Sequence, residues 1–147
     1  MQITRYADYS IRVLIYLALT QNELTTIQQI SDHYHISKNH LMKIVQDLNV
    51  RGYITAIRGK NGGIKLKGKP ESINLGKLIR EIECDSNLVE CFGNNNQCVI
   101  TPSCQLKNIF AEALDSFFTT LEQYTLQDLV NEKHQSPLRN LLSIGLL

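Results

Sequence analysis

Four cysteines occur in the chain of 147 residues, and three of them fall within the stretch CFGNNNQCVITPSCQ with the spacing C-x6-C-x5-C. Cys91, Cys98 and Cys104 are the residues most able to do chemistry. Pairing two as a disulfide would leave the third unpaired. Zinc sites draw on tighter C-x2–4-C pairs, which this stretch lacks. Iron–sulfur clusters are held by cysteine thiolates, and a pliant loop with three of them can wrap one face of a cluster. Cys104 stands where the following helix begins, and the partial positive charge of a helix start favours a thiolate there. Spacing alone leaves four readings open: a cluster, bare redox thiols, zinc, or unreactive cysteines.

The cellular setting narrows these readings. Asp8 and Arg12 interrupt the N-terminal region where a signal peptide needs an unbroken apolar stretch, and the longest apolar run, Val13 to Leu19, is too short to span a bilayer. The expectation is a cytoplasmic chain with no membrane association, in which thiols stay reduced. A hydrophobic content of 43% with 20% charged residues suits an ordinary globular domain.

Charge is unevenly spread. Between His35 and Lys69 there are eight Lys or Arg residues against one acid, Asp47, whereas between Glu81 and Asn131 eight acids face one base, Lys107. The basic half is therefore suited to a polyanion.

The elements that would position these groups follow from periodicity. Residues 4–20 read as an amphipathic helix. Thr26-Ile-Gln-Gln29 reads as a capping box opening a short helix, Ile27 to about Tyr34. A tight turn follows, with Ser37 as cap of a third helix, Lys38 to about Val50, ended at Gly52. Tyr53 to Ile57 and Ile64 to Leu66 read as a hairpin around the glycine-rich tip Arg58-Gly-Lys-Asn-Gly-Gly63. A further helix is expected from Glu71 or Ser72 to Glu83, then the cysteine loop, then a long helix from Gln105 to about Tyr124. Thr125 caps a last short helix to Asn131, and the chain from Ser136 reads as a loosely ordered tail.

Helix, short helix, turn, helix and hairpin make a winged helix-turn-helix, a mainly α fold with a two-stranded wing. The domain reading is 1–83 for the DNA-binding unit, 84–104 for the cysteine loop, 105–131 for a dimerisation helix and a short helix, and 132–147 for the tail. Ser37, Lys38, Asn39, His40 and Lys43 line the exposed start of the third helix, from which polar and basic side chains reach base edges of double-stranded DNA. Arg58, Gly59 and Lys60 at the wing tip suit a minor groove or phosphates. Along the long helix, Leu106, Ile109, Phe110, Ala113, Leu114, Phe117, Phe118 and Leu121 form a wide apolar stripe, which suits a homodimer reading a palindromic operator. No phosphate-cradling glycine loop and no catalytic His/Asp/Ser set is present, so no enzyme chemistry is expected.

The segments MQITRYADYSIRVLIYLA, ISKNHLMKIVQDL, IRGKNGGIKL and LVECF…CVITPSCQLKNIFAEAL together resemble the Rrf-type family of winged-helix iron–sulfur regulators, and within it the nitric-oxide-sensing repressors. The resemblance implies a homodimer crossed through its long helices and a cluster, four-iron rather than two-iron, ligated by Cys91, Cys98 and Cys104. In related regulators a histidine three residues after the last cysteine is the fourth ligand; here Lys107 stands there. In the nitric-oxide sensors the fourth ligand is an aspartate of the first helix, supplied by the partner subunit, and Asp8 matches that position. Asp8 also sits four residues before Arg12, the spacing of a simple surface ion pair. Cys84 is an alternative ligand or a half-buried helix residue. The gap of six between Cys91 and Cys98 departs from the five of many members. Alternatives within the family are a cluster-free regulator or one answering redox state, iron–sulfur status or cysteine metabolism; outside it, a small electron-transfer protein.

Overall fold

The computed structural model describes residues 1–21, 23–84 and 87–145. The turn expected at Asn22 and Glu23 thus lies partly outside the described residues. α1 (Arg5–Leu19) is the central element, and Ala7, Val13, Leu14 and Leu19 on it are inaccessible to solvent. Thr4 caps it, its hydroxyl accepting from Ala7 N at 3.2 Å. α2 (Ile27–Tyr34) starts with the expected capping box: Thr26 N donates to Gln29 Oε1 at 2.8 Å and Gln29 N donates back to Thr26 Oγ1 at 3.2 Å. Satisfying two free helix-start donors in this way fixes where the chain turns.

α2 and α3 (Lys38–Val50) are joined through His35, which adopts a left-handed conformation (φ 56°, ψ 42°). Ser31 Oγ donates to Ile36 O at 2.6 Å, and Ile36 is buried beneath the corner. Ser37 occupies the cap position of α3, but its side chain makes no capping hydrogen bond, contrary to expectation. Leu41, Ile44, Val45 and Leu48 bury the inner face of α3 as their spacing predicts. Each fully buried Leu or Ile contributes roughly 1.5–3 kcal/mol.

The wing is a two-stranded antiparallel sheet of β1 (Ile54–Ile57) and β2 (Gly63–Leu66), with Ile54 opposite Leu66 and Ala56 opposite Ile64. Ile54, Ile64 and Leu66 point into the core. Thr25 adds a bridge to β2, with Thr25 N donating to Ile64 O at 2.9 Å and Ile64 N to Thr25 O at 2.8 Å. The approach needs a glycine: a Cβ on Gly63 would stand 2.8 Å from Thr25 O.

α4 (Leu75–Ile82) begins later than expected, because Asn74 is held extended by a bridge to Thr125 and caps the helix by accepting from Lys77 N at 3.0 Å. A 3-10 turn at Pro70–Ser72 precedes it. After the cysteine loop, α5 (Gln105–Leu121) is shorter than anticipated, about 25 Å at ~1.5 Å per residue. Its end lies close against α4 because Gly76 has no side chain; a Cβ there would come within 2.6 Å of Glu122 N. α6 (Leu126–Leu129) is a single turn. The expected loose tail is instead ordered as α7 (Glu132–Leu141): Asn131 caps it, and Leu138, Leu142 and Ile144 pack against the main core.

Candidate nucleic-acid interface and metal centre

Ser37, Lys38, Asn39, His40 and Lys43 are all exposed at the start of α3, as are Arg58, Gly59 and Lys60 at the wing tip. The two groups hang from one core, since α3 and β1 follow each other through Gly52, whose positive φ of 85° ends the helix. Gly52 N donates to Asn49 O at 3.1 Å and Tyr53 N to Leu48 O at 3.0 Å, which turns the chain into the wing. The exposed His40 ring stands edge-on to Tyr9 of α1, with the centroids 5.7 Å apart. His33 has a structural role, its Nδ1 lying 2.6 Å from the Tyr16 hydroxyl.

Behind this surface lies a polar frame that sequence patterns did not reveal. Tyr53, at the root of the wing, donates its hydroxyl to Glu81 Oε2 at 2.9 Å. Burial and then the Glu81 carboxylate push the Tyr53 phenol up to about 12. Arg51, which closes α3, pairs with Asp47 at 2.7 Å and donates to Glu81 O at 3.3 Å. The hydrogen bond that Arg51 donates to Asp47 raises the Arg51 pKa further. The Tyr6 phenol is also raised, first by burial and then by Asp47.

The cysteines lie at the other end of the chain's path. Cys91 sits on a 3-10 turn (Glu90–Phe92), Cys98 is exposed just before another (Thr101–Ser103), and Cys104 is the residue from which α5 starts. All four cysteines are free. Cys84 is exposed beyond the end of α4, so it is not the half-buried helix residue that was expected. Among the described residues no three His, Cys, Asp or Glu side chains converge as a ready-made metal site. Cys91 lines a hollow of about 380 Å³ with Lys107, Arg80 and Asp115, whereas Asp8 lines a different hollow on α1 with Tyr9 and Arg12. Asp8 and Cys91 thus line separate hollows of the single chain.

Asp8 is occupied by the bland partner: Arg12 Nη2 lies 2.8 Å from its Oδ2 and Nε 3.3 Å from its Oδ1. Both side chains are close to half exposed, so the pair is worth under about 1 kcal/mol. The loop itself is knitted by Asn96, whose amide donates to Thr101 Oγ1 at 2.8 Å while its carbonyl accepts from Cys98 N at 3.0 Å. Glu90 Oε1 accepts from Gln97 N at 2.6 Å. Asn94 and Asn95 are exposed in the turn between Cys91 and Cys98. Asn two residues before Cys was the one available signal for this turn.

α5 exposes much of its apolar stripe. Of its residues only Phe118 is buried, with Arg80 stacked over the ring at 4.3 Å and also paired with Glu122 at 3.2 Å. Leu106 and Ile109 are 52% and 59% exposed. No helix among the described residues is long and apolar enough to cross a membrane.

Comparison with known proteins adds an independent line. Residues 3–132 match the family model Rrf2, described as an iron-dependent transcriptional regulator. The HTH-type transcriptional regulator NsrR of Bacillus licheniformis is 51% identical over 145 residues, covering 97% of this chain and all of that protein. Its namesake in Bacillus subtilis is 51% identical over 90% of this chain and 92% of its own. Among solved structures, the global cysteine regulator CymR of B. subtilis superposes with a TM-score of 0.67 at 25% identity, covering 88% of this chain and 95% of its own. IscR of T. potens gives a TM-score of 0.71 at 20% identity over 92% and 90% of the two chains, a likeness of fold.

Proposed function

The chain is an NsrR-like member of the Rrf2 family of transcriptional regulators with a winged-helix fold, and from that premise we propose that it is a cytoplasmic homodimeric repressor. Its hold on a palindromic DNA operator depends on an iron–sulfur cluster, and nitric oxide releases it. The observation that carries this reading is the meeting of thiols and an uncovered apolar face at one place. α5 starts from Cys104, and Leu106 and Ile109 beside it are left in water. A second copy lying along α5 would remove that area from water and set the cysteine loops beside the junction.

The donor set fits such a group: three free thiols carried on turns and a helix start, none committed to a disulfide or a capping bond. Cys91, Cys98 and Cys104 would hold it, with Asp8 of the partner subunit as the fourth ligand and the four-iron form favoured. When bound, the cluster supplies an iron whose oxygen-ligated place is open to exchange with a small diatomic molecule. The remaining work falls to the chain. Asp8 becomes available by leaving Arg12, at the small cost of a half-exposed pair. α1, which bears Asp8, packs on α3 and holds His40 through Tyr9, so a change at Asp8 reaches the start of the reading helix. Lys38, Asn39 and Lys43 then present donors to bases and phosphates, and Arg58 and Lys60 to the adjoining groove.

The test is anaerobic. Protein purified without oxygen is expected to be coloured and to carry iron and sulfide, and stepwise nitric oxide should weaken its binding to an operator duplex. Colourless protein that binds equally before and after nitric oxide would sink the proposal. A second reading, a cluster-free regulator answering thiol oxidation or cysteine status, is favoured by the exposed free cysteines and the likeness to CymR. It requires an iron content of zero together with operator binding that responds to peroxide and is restored by a dithiol.

A further inference from the structure

α7 lies almost wholly beyond residues 3–132 that match the family model, and it carries a side chain aimed back into the winged half. Arg139 Nη1 donates to Leu19 O at 2.9 Å across 120 residues. Leu19 is the last residue of α1 and is inaccessible to solvent. The last carbonyls of a helix lack intrahelical donors and carry partial negative charge. The last turn of α1 contains no basic residue of its own, so Arg139 supplies the missing cation from outside. The end of the chain folds back beside the guanidinium. Ile144 N donates to Arg139 O at 2.9 Å to close α7, and a Cβ on Gly145 would stand 3.0 Å from Arg139 Nη2. Leu142 and Ile144 anchor this end of the chain on the core.

What hangs from that point is the wing. Thr20 follows Leu19 and donates its hydroxyl to Leu17 O at 3.0 Å; the buried Thr25 donates to Thr20 Oγ1 at 3.4 Å. Thr25 in turn makes both backbone hydrogen bonds to Ile64 of β2, at 2.9 and 2.8 Å. We infer that Arg139 is a positioning residue for DNA binding: it fixes the end of α1 and, through Thr20 and Thr25, the height of β2 and so of the hairpin tip that bears Arg58 and Lys60. This rests on the proposed placement of the wing against DNA.

The experiment uses the full chain and a duplex selected by the wild type from a random-sequence library, with affinity measured against salt concentration. Each phosphate contact contributes about 0.9 to the slope of log K against log salt. Arg139→Met keeps the stem and removes the donors. It is expected to bind about tenfold more weakly, with a slope shallower by about 2, and Arg139→Lys should recover part of both. In an Arg58→Gln/Lys60→Gln background, Arg139→Met should change the slope no further. Should Arg139→Met fail to fold, Arg139→Gln, which shortens the side chain and removes its charge, gives the same signature. An unchanged slope in Arg139→Met or Arg139→Gln, or an equal loss of affinity with and without the wing cations, overturns the inference. An unchanged slope in Arg58→Gln/Lys60→Gln alone overturns the placement of the wing on DNA, and this inference with it.

Discussion

Leu14, Ile30, Leu41, Ile44 and Leu48 of the winged half have no contact with solvent, whereas on α5 Leu106 and Ile109 remain more than half exposed and only Phe118 is buried. The winged half also resolves its polar groups internally, through the Thr26–Gln29 box, the Tyr16–His33 pair and the frame around Glu81. In the cysteine half, the thiols are free and exposed or half-buried. One region is complete as a single chain, and the other has the surface of something built to be covered. The difference teaches that the buried core and the accessible thiols are housed in separate halves, so a substitution in one half should leave the other intact.

Substitutions can break or sharpen that contrast. The largest effect is expected inside the winged half: Leu41→Ala should cost about 2–5 kcal/mol in denaturant unfolding through cavity formation. Next comes the seam between the halves. Gly76→Ala places a Cβ against Glu122 and should cost about 1–3 kcal/mol through overpacking, read by thermal melting. The winged half should also show an alkaline limit. Burial raises Tyr34 to about 12, so the folded state keeps that proton when the unfolded chain has lost it. The Tyr34 contribution is therefore fully present below pH ~10 and lost as pH rises towards 12. Tyr34→Phe should flatten that decline in a pH series of melting curves.

On the exposed half, Ile109→Glu should leave protomer stability within ~0.5 kcal/mol. It should nevertheless halve the mass in sedimentation and remove the concentration dependence of melting. On the surface of the winged half, Asp8→Asn breaks only a half-exposed pair of α1 and should likewise cost little, under about 1 kcal/mol. A large destabilisation by either change would erase the contrast.

Legibility in the sequence follows the same divide. α1 to α3 and the wing came within a residue or two of expectation because their signals are local: apolar spacing, a capping box, a glycine-rich tip. α4 was placed too early because Asn74 is kept extended by Thr125, a partner 51 residues away in sequence that no local pattern announces. α7 was read as tail because Pro137 and a run of terminal leucines obscure it. Asn131 as cap and the spacing of Leu138 and Leu142 were the signals, but docking on the core decides the matter. The cysteines could be found by type and spacing, yet Asp8 and Cys91 line different hollows of one chain. Their relation cannot be read from contacts within it.

The asparagine-rich tip of the cysteine loop has a consequence in polymer statistics. Thr4 N and Oγ1 both bond Glu83 Oε1, at 2.9 and 2.6 Å, tying together residues 79 apart, and α5 is fastened to α4 through Gly76. The cysteine segment is thus a tether with both ends already pinned. Lengthening such a tether by one residue changes its closure entropy only logarithmically, by roughly 0.04 kcal/mol, well below thermal energy. Insertions at Asn94 or Asn95 are therefore nearly invisible to selection on stability. Chain closure alone therefore puts almost no constraint on the interval between the first two thiols, whereas Asn96, bonded to Cys98 and Thr101, fixes the second half of the loop.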